Sequence, residues 1–459
     1  QLICNKFSHF ARQPSHRTAK SRNARVKKGD DGKPGPCQAL SFIRGHPPAH
    51  GWLQVPSGGK RVTAMNATFA ENLMTTYKRM DVVFKRGDGA KLWDSEDRSY
   101  LDALSGISVT GLGHANPAIT EALCIQAGTL VHTSNLYRIE HQEILGSKLC
   151  ELSGLSKVFF SNSGAEANEA AIKLARKYGH GKNIENPITL VAEGSFHGRT
   201  MATLSATGNP KVHAGFEPLL SGFSHIPFGD LTALENALNN QEGVVAVLIE
   251  PILGEGGVVI PKPGYLAGVR KLCDQHGVLM MLDEIQTGMC RTGHWFAHQA
   301  EDIVPDVMTL AKGLGNGVPI GACLARDEAA EVLQPGTHGS TFGGNPLATR
   351  AALAVVETME QENIAARAAA LGQHCVKQFE ARLGDVPCVA NIRGRGMMMA
   401  IELRSPCGEL VGKALEAGLL INVTADSVIR LLPPMVMSDD ELGEMIEIIC
   451  NLISEFGNA

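Results

Sequence analysis

One lysine ends an apolar run and is followed at once by a glycine-rich loop: Thr309-Leu310-Ala311-Lys312-Gly313-Leu314-Gly315-Asn316-Gly317. A lysine at such a junction sheds its proton more readily than a solvated one, and it has room beside it for a planar partner. Those are the needs of an amine that condenses with a carbonyl, although a solvated lysine at a strand end would use the same residues. Upstream, Val278-Leu279-Met280-Met281-Leu282 runs into Asp283-Glu284-Ile285-Gln286. Five apolar residues predict a strand buried on both faces, and an unpaired carboxylate at its end would cost several kcal/mol. Asp283 must therefore meet a cation, for which a protonated heterocyclic nitrogen would serve; capping of the next turn is the competing use.

Two further stretches have the same design. Val158-Phe159-Phe160-Ser161-Asn162-Ser163-Gly164-Ala165-Glu166 passes from a strand through small residues into a helix with Ala167, Ala170, Ala171, Leu174 and Tyr178 on one face. Free backbone N–H groups and the positive end of the helix dipole then meet, which suits a phosphate, though a plain N-cap needs no more. The turn is not the GxxxxGK[ST] loop of nucleotide triphosphate sites. In Ser195-Phe196-His197-Gly198-Arg199-Thr200 an aromatic at a strand end can stack on a flat ring, and the arginine can hold a carboxylate by two parallel hydrogen bonds. His197 could be a general base or packing, and packing is the preferred reading. Glu250-Pro251-Ile252-Leu253-Gly254-Glu255 leaves another strand, and one of its glutamates is a candidate partner for an arginine of the site. A phosphate turn, a stacking aromatic, a buried acid and a glycine-flanked lysine, each at a strand end, together describe one site for pyridoxal 5′-phosphate.

Buried strands are expected at Lys157 to Phe160, Ile188 to Ala192, Val244 to Ile249, Val278 to Leu282 and Val318 to Leu324, most of them separated by helix-length segments. That alternation predicts an α/β fold around a largely parallel sheet with its site at the strand ends. Val82 to Phe84 and Lys91 to Asp94 flank Arg86-Gly87-Asp88-Gly89 as a hairpin. After Asn345 an Ala-rich helical stretch leads to strands at Met397 to Leu403, Leu419 to Val423 and Val428 to Leu432. A last helix follows, opened by the capping box Ser438-Asp439-Asp440-Glu441. The expected organisation is a basic leader over 1–64, an N-terminal segment over 65–110 that packs on the small domain, a large domain over 111–344, and a smaller α+β domain over 345–459. No internal repeat is present.

The 459 residues are 44% hydrophobic and 19% charged, an ordinary globular composition. No apolar run approaches the roughly 18 residues of a membrane span. Eleven cysteines, odd in number and without a C-x-x-C pair, suggest neither a disulfide framework nor a metal site and point to a reducing compartment. Residues 1–64 hold twelve Lys or Arg against Asp30 and Asp31, a charge of +10, which leaves −15 for the remainder of a chain whose total is −5. Sequence upstream of a start at Met65, an organelle transit peptide, or a basic arm are the three readings of that leader; they place the protein in the cytoplasm, or in a mitochondrion or plastid if it is a transit peptide. The acidic body excludes nucleic acid as the main partner.

From Met65 onward the chain resembles the class III pyridoxal-phosphate aminotransferases of fold type I, and among them the acetylornithine aminotransferases of arginine biosynthesis. The resemblance is carried by SNSGAEANEAAIKLAR, FHGRT, EPILGEGGV, LDEIQTGM, TLAKGLGNGVPIGA, THGSTFGGNPLA and VIRLLPP, in this order. It implies transfer of the terminal amino group of N2-acetylornithine to 2-oxoglutarate, giving N-acetylglutamate 5-semialdehyde and glutamate. It also implies that Lys312 bonds the cofactor, Asp283 pairs with the pyridine nitrogen, Gln286 contacts the ring hydroxyl side and Phe196 stacks on the ring. Gly164, Ala165 and Ser163 would bind phosphate, with Thr341 reaching it from a neighbouring subunit of a homodimer. Arg199 and Ser340 would hold the acetylated substrate, and Arg430 the carboxylate of 2-oxoglutarate, with Glu255 neutralising Arg430 otherwise. Succinyldiaminopimelate, ornithine and 4-aminobutyrate are alternative donors, and a lyase, a mutase or a non-catalytic homologue the alternatives in class.

Two positions depart from that pattern. Cys290 stands where the family usually has glycine, a change that costs roughly 1 kcal/mol if φ is positive there. Ile107, in Leu104-Ser105-Gly106-Ile107, stands where the similar ornithine aminotransferases carry tyrosine, which favours an acylated donor.

Overall fold

The computed structural model describes residues 72–458; the basic leader and the start at Met65 lie outside them. The first strands are β1 (Phe84–Asp88), β2 (Lys91–Asp94) and β3 (Ser99–Asp102). Asp88 faces Lys91, so the hairpin turns at Gly89-Ala90 rather than over 86–89, and the positive φ falls on Gly89. Val82 and Val83 lie outside the strand because the pairing begins at Phe84.

A seven-stranded sheet follows, built from β4 (Lys157–Ser161), β5 (Ile188–Ala192), β6 (Phe223–Ile226), β7 (Val244–Ile249), β8 (Leu279–Asp283), β9 (Val307–Leu310) and β10 (Gly321–Ala325). Their order is β4-β10-β9-β8-β7-β5-β6, and β10 alone runs against its neighbours. The central strands have no polar face because both faces are covered. Val191, Leu248 and Met281 pack under Ala170, Ala171 and Leu174 of the helix Gly164–Gly181. Leu190, Val247, Ile249, Met280 and Leu282 alternate to the other side, against the helices Leu231–Asn240 and Tyr265–His276. Two strands, β6 and β9, were not expected, and β10 starts three residues later than expected. Val318-Pro319-Ile320 is apolar but forms the loop into it, where proline has no N–H to give a ladder.

The smaller C-terminal domain is an antiparallel sheet in the order β11-β12-β15-β14, from β11 (Val389–Arg395), β12 (Met398–Leu403), β14 (Asn422–Thr424) and β15 (Val428–Leu431). What was read as one strand over Leu419 to Val423 is two. Leu419–Leu420, β13, leaves this sheet and pairs in parallel with β3, extending the N-terminal sheet. The helices Ile364–Leu383 and Asp439–Gly457 back the domain, and Ser438 and Glu441 form the expected reciprocal cap. One continuous apolar cluster runs from Leu101 and Leu112 through Phe160 and Leu310 to Phe379, Met399 and Ile449, so N-terminal strands, large sheet and small domain share a core.

Gly372 offers a test of this packing. It lies inside a helix, where alanine normally gains about 1 kcal/mol, but a Cβ there would sit 1.9 Å from the backbone oxygen of Gly396 in the β11–β12 turn. Gly372→Ala is expected to lower stability by about 2 kcal/mol or more in urea unfolding; a gain in stability would show that the helix is not seated on that turn.

Candidate active site

The C-terminal ends of β4, β5, β7, β8 and β9 meet around a cavity of about 430 Å³ lined by Ser163, Gly164, Ala165, Phe196, Glu250, Glu255, Asp283, Gln286 and Lys312, with Val109 in its wall. Lys312 follows β9 by two residues. Its φ of 43° is in the left-handed region, a cost of order 1 kcal/mol for a lysine. The glycine loop beyond it is pinned by Asn316, whose Oδ1 accepts from Leu112 N (2.9 Å) and whose Nδ2 donates to Gly113 O (3.0 Å). Burial holds the Lys312 ammonium below the ordinary lysine range; the negative Glu255 opposes this and the positive Arg430 adds to it. The amine forms no ion pair among the described residues.

Asp283 ends β8 at 4% exposure. Its Oδ2 accepts from Asn168 Nδ2 (2.7 Å) and His197 Nδ1 (2.8 Å), and its Oδ1 from Ile285 N (3.1 Å). Asn168 also donates to His197 O (2.8 Å), and its own Oδ1 accepts from Thr309 Oγ1 at 2.7 Å. A carboxylate that can only accept places the hydrogen on Nδ1 of His197. His197 is therefore an acid-orienting residue, not packing as read from sequence. Asn168 and Thr309 were missed as well. The signal was present for Asn168, a polar side chain within the alanine face of the helix Gly164–Gly181. The donors that hold the carboxylate are Asn168, the ring of His197 and the amide of Ile285, and the carboxylate lines the cavity.

Ser163 caps the helix by accepting from Glu166 N, so the first-turn amides of Gly164 and Ala165, which have no intrahelical acceptor, are left at the cavity. A Cβ on Gly164 would lie 2.8 Å from Ile285 Cδ1, so a larger residue there would have to displace the Ile285 side chain. Phe196 forms the cavity wall, and the exposed guanidinium of Arg199 sits 5.4 Å from its ring centroid. Gln286 is buried with Oε1 unpartnered.

Of the two glutamates after β7, Glu255 pairs with Arg430: Nη1 donates to Oε1 at 2.6 Å, and Nε donates to Asn422 Oδ1 at 3.2 Å. Arg430 is fully buried with Nη2 unpartnered, and it is Glu255 that lines the cavity in front of it. Glu250 forms no ion pair among the described residues. Its oxygens accept from Phe196 N (2.9 Å) and Gly254 N (3.0 Å), tying the aromatic loop to the loop of Glu255. Burial, reinforced by the negative Asp283, pushes its carboxyl up to about 7. Ser340 and Thr341 are not brought into this cavity. Ser340 Oγ accepts from Asn162 Nδ2 (3.2 Å) and Gly343 N (2.9 Å), and Thr341 and Phe342 are exposed beside it.

The entrance rests on strained backbone. Ser105, Gly106, Ile107 and Ser108 all have positive φ, at 45°, 61°, 67° and 65°. Left-handed geometry costs roughly 1–2 kcal/mol per non-glycine residue, and a β-branched residue is the worst case. Ile107 is 37% exposed on this turn, and Val109, two residues on, is the side chain that reaches the cavity. Cys290, buried at φ 67°, shows that the position usually given to glycine does need the left-handed region. Beside it Arg291 is 2% exposed, and burial pushes its guanidinium down to about 10, with the negative Asp102 opposing.

The model of the class III aminotransferases matches residues 73–453. An acetylornithine aminotransferase of Nitrosomonas europaea is 54% identical over 385 residues, 84% of this chain and 98% of that protein. One from Methanothermobacter thermautotrophicus is 44% identical over 383 residues, 83% of this chain and 96% of the relative. Among solved structures, the ornithine aminotransferase of Toxoplasma gondii superposes with a TM-score of 0.84 at 36% identity, covering 87% of this chain and 96% of the other. The N-acetylornithine aminotransferase of Stenotrophomonas maltophilia does so with a TM-score of 0.73 at 37% identity, covering 85% and 98%. With the lysine, the buried acid, the aromatic wall and the arginine–glutamate pair assembled at the strand ends of this sheet, the chain belongs to the class III aminotransferases.

Proposed function

We propose that the protein transfers the terminal amino group of N2-acetylornithine to 2-oxoglutarate, using pyridoxal 5′-phosphate, in arginine biosynthesis. The observation that carries the reading is the Glu255–Arg430 pair at the wall of a cavity that also holds Lys312 and Asp283. A transaminase must admit two different acids to one pocket in turn, and a buried arginine screened by a mobile carboxylate serves both. With Glu255 in place Arg430 is neutralised; with Glu255 withdrawn it offers two N–H groups to a second carboxylate.

The residues fit the cofactor. The amides of Gly164 and Ala165, with Ser163, suit its phosphate, the unpartnered Gln286 Oε1 suits the ring hydroxyl, Phe196 suits the ring face, and the cavity edge of Asp283 suits a protonated ring nitrogen. When bound, pyridoxal phosphate supplies an aldehyde that condenses with amines and a ring that draws electrons from the carbon bearing the nitrogen. Asp283, oriented by His197 and Asn168, keeps a proton on the ring nitrogen. Lys312 Nζ, neutral more readily than a solvated amine, would take the proton from the carbon bearing the donor amine and hand it to the cofactor's former aldehyde carbon. Arg199 at the mouth holds the donor's carboxylate.

The reading extends to a homodimer in which the exposed Thr341 serves the neighbouring subunit's site, to Ser340 as a further contact of the acetylated substrate, to residues 65–110, 111–344 and 345–459 as structural units, and to the cytoplasm. Ornithine as donor is the second reading, favoured by the backbone match to ornithine aminotransferases. Identity of 54% to an acetylornithine enzyme and Ile107 at the entrance support the acetylated donor.

Two tests follow from the site. Apo-protein given pyridoxal phosphate is expected to bind it covalently at Lys312, trapped by borohydride, with a rate that rises with pH to a midpoint below the 10.5 of an ordinary lysine, since the neutral amine reacts and burial favours that form. Lys312→Ala should lose the adduct and about 10²–10⁴ in turnover; labelling at another lysine would remove Lys312 from the mechanism. Arg430→Ala should raise the KM for 2-oxoglutarate about 10- to 100-fold, the worth of a charge-assisted pair, and leave the first half-reaction with acetylornithine within about threefold. Equal damage to both halves would argue against alternating use of Arg430.

A further inference from the structure

The turn Ser105 to Ser108 cannot hold itself. Its hydrogen bonds, from Ile107 N and Ser108 N to Leu104 O and from Val109 N and Thr110 N to Ser105 O, would be as available to a right-handed turn, which chirality prefers. The restraint comes from outside. Asp102 Oδ1 accepts from Leu104 N (2.9 Å) and Ser105 N (2.7 Å), fixing the entry. Arg291 then spans the turn: Nε donates to Ser108 Oγ at 3.0 Å and Nη2 to Ser105 Oγ at 3.4 Å. Its remaining bonds go to the small domain, from Nη1 to Met397 O (3.0 Å) and Pro433 O (2.5 Å). Met397 precedes β12, and Pro433 lies three residues after Arg430. Ser108 Oγ also donates to Gln286 O at 3.3 Å, so the turn is joined to the cofactor side of the cavity too.

Among the described residues Arg291 forms no ion pair. A buried guanidinium without a carboxylate is a poor way to stabilise a core, since apolar residues of similar volume commonly do as well or better. What it supplies is a fixed geometry among three chain segments. We propose that Arg291 is a positioning residue for the amino donor: it locks the left-handed turn so that Val109 forms the cavity wall, and it ties that wall to the strand end that presents Arg430. The proposal rests on the aminotransferase reading above. Because the turn meets the cavity through Val109 and forms no hydrogen bond with the Lys312 amine among the described residues, Arg291 governs how the donor is seated and leaves proton transfer to Lys312.

The test uses the holoenzyme and its Arg291→Met, Arg291→Lys and Ser108→Ala variants. Steady-state kinetics with acetylornithine and 2-oxoglutarate are measured alongside hydrogen exchange of the amides of 107–110. Arg291→Met is expected to raise the KM for the donor about tenfold with kcat held within about threefold, and to speed exchange of those four amides about tenfold without a matching change in β7 or β8. Arg291→Lys, which can reach a carbonyl but not both hydroxyls, should fall between. If the Arg291 variants do not fold, Ser108→Ala decides: a donor KM raised about threefold with faster exchange at 107–110 supports the proposal, and wild-type values overturn it. Folded Arg291 variants with an unchanged donor KM, or with a loss in kcat alone, overturn it as well. Should the wild type accept ornithine and not acetylornithine, the substrate reading fails on its own. The same comparison is then made with ornithine, and the exchange measurement still reports on the turn.

Discussion

A carboxylate at the end of a strand that is covered on both faces must have its hydrogen-bonding capacity met by donors from elsewhere, and Asp283 sets that demand here. Water is excluded on the protein side, so Asn168, His197 and the amide of Ile285 must converge on it. Each donor fixes more than itself. Asn168 is held in turn by Thr309, which seats the helix Gly164–Gly181 against the strand that leads to Lys312. His197 is held by Thr207 and by its own carbonyl's bond to Asn168, which sets the loop carrying Phe196. A helix, a loop and a strand from three parts of the chain are therefore registered to one another through one acid. Replacement of that acid by an apolar residue would leave two buried donors unpaired, a cost beyond the lost contact itself.

The second constraint is backbone handedness. Lys312, Cys290 and the run Ser105 to Ser108 all sit in the left-handed region; Lys312 lines the cavity, and the run leads into Val109, which lines it too. Strain of this kind persists only where surroundings over-determine it. Around Lys312 the determination comes from Asn316 and the residues 112–113 that it clamps; around the turn it comes from Asp102 and Arg291. These are side-chain hydrogen bonds, to backbone from Asn316 and Asp102 and to the turn's own hydroxyls from Arg291, short in reach and directional.

Such geometry explains what the sequence disclosed and what it withheld. Val244–Ile249 and Ile188–Ala192 were legible to the residue because a strand buried on both faces is a continuous apolar run with abrupt ends. Asp283 and Lys312 were legible because a polar group ending such a run has few innocent explanations. The capping box at Ser438 was legible because it is local. By contrast β11, with Asn391 and Arg393, has the composition of a loop, and it is a strand only because β12 supplies its pairing. β13 leaves the sheet of its chain neighbours for β3, a choice made by a segment more than 300 residues away. His197 looked like packing because nothing near it in sequence announces Asp283. The positive φ values of 105–108 could not be read at all, since one glycine in four residues does not mark a left-handed run; the tertiary clamp makes it.

The relatives of this chain divide along the same line. The backbone match is closer to an ornithine aminotransferase than to an N-acetylornithine aminotransferase, while the 54% identity is to an acetylornithine aminotransferase. This is the expected behaviour of a family whose sheet, buried acid and lysine are dictated by shared chemistry. A TM-score weighs hundreds of Cα positions, almost all committed to that common frame, whereas donor choice rests on the few side chains at the mouth. Here the mouth presents Arg199 and the apolar Val109, which follows Ile107 on a turn whose backbone leaves it little freedom to withdraw. An apolar side chain at that turn cannot take up the hydrogen bonds that a free α-amino group must make when it leaves water, and it forfeits nothing when that nitrogen is acylated. Discrimination between the two donors is then a matter of leaving one polar group unsatisfied, a small change on an unchanged fold.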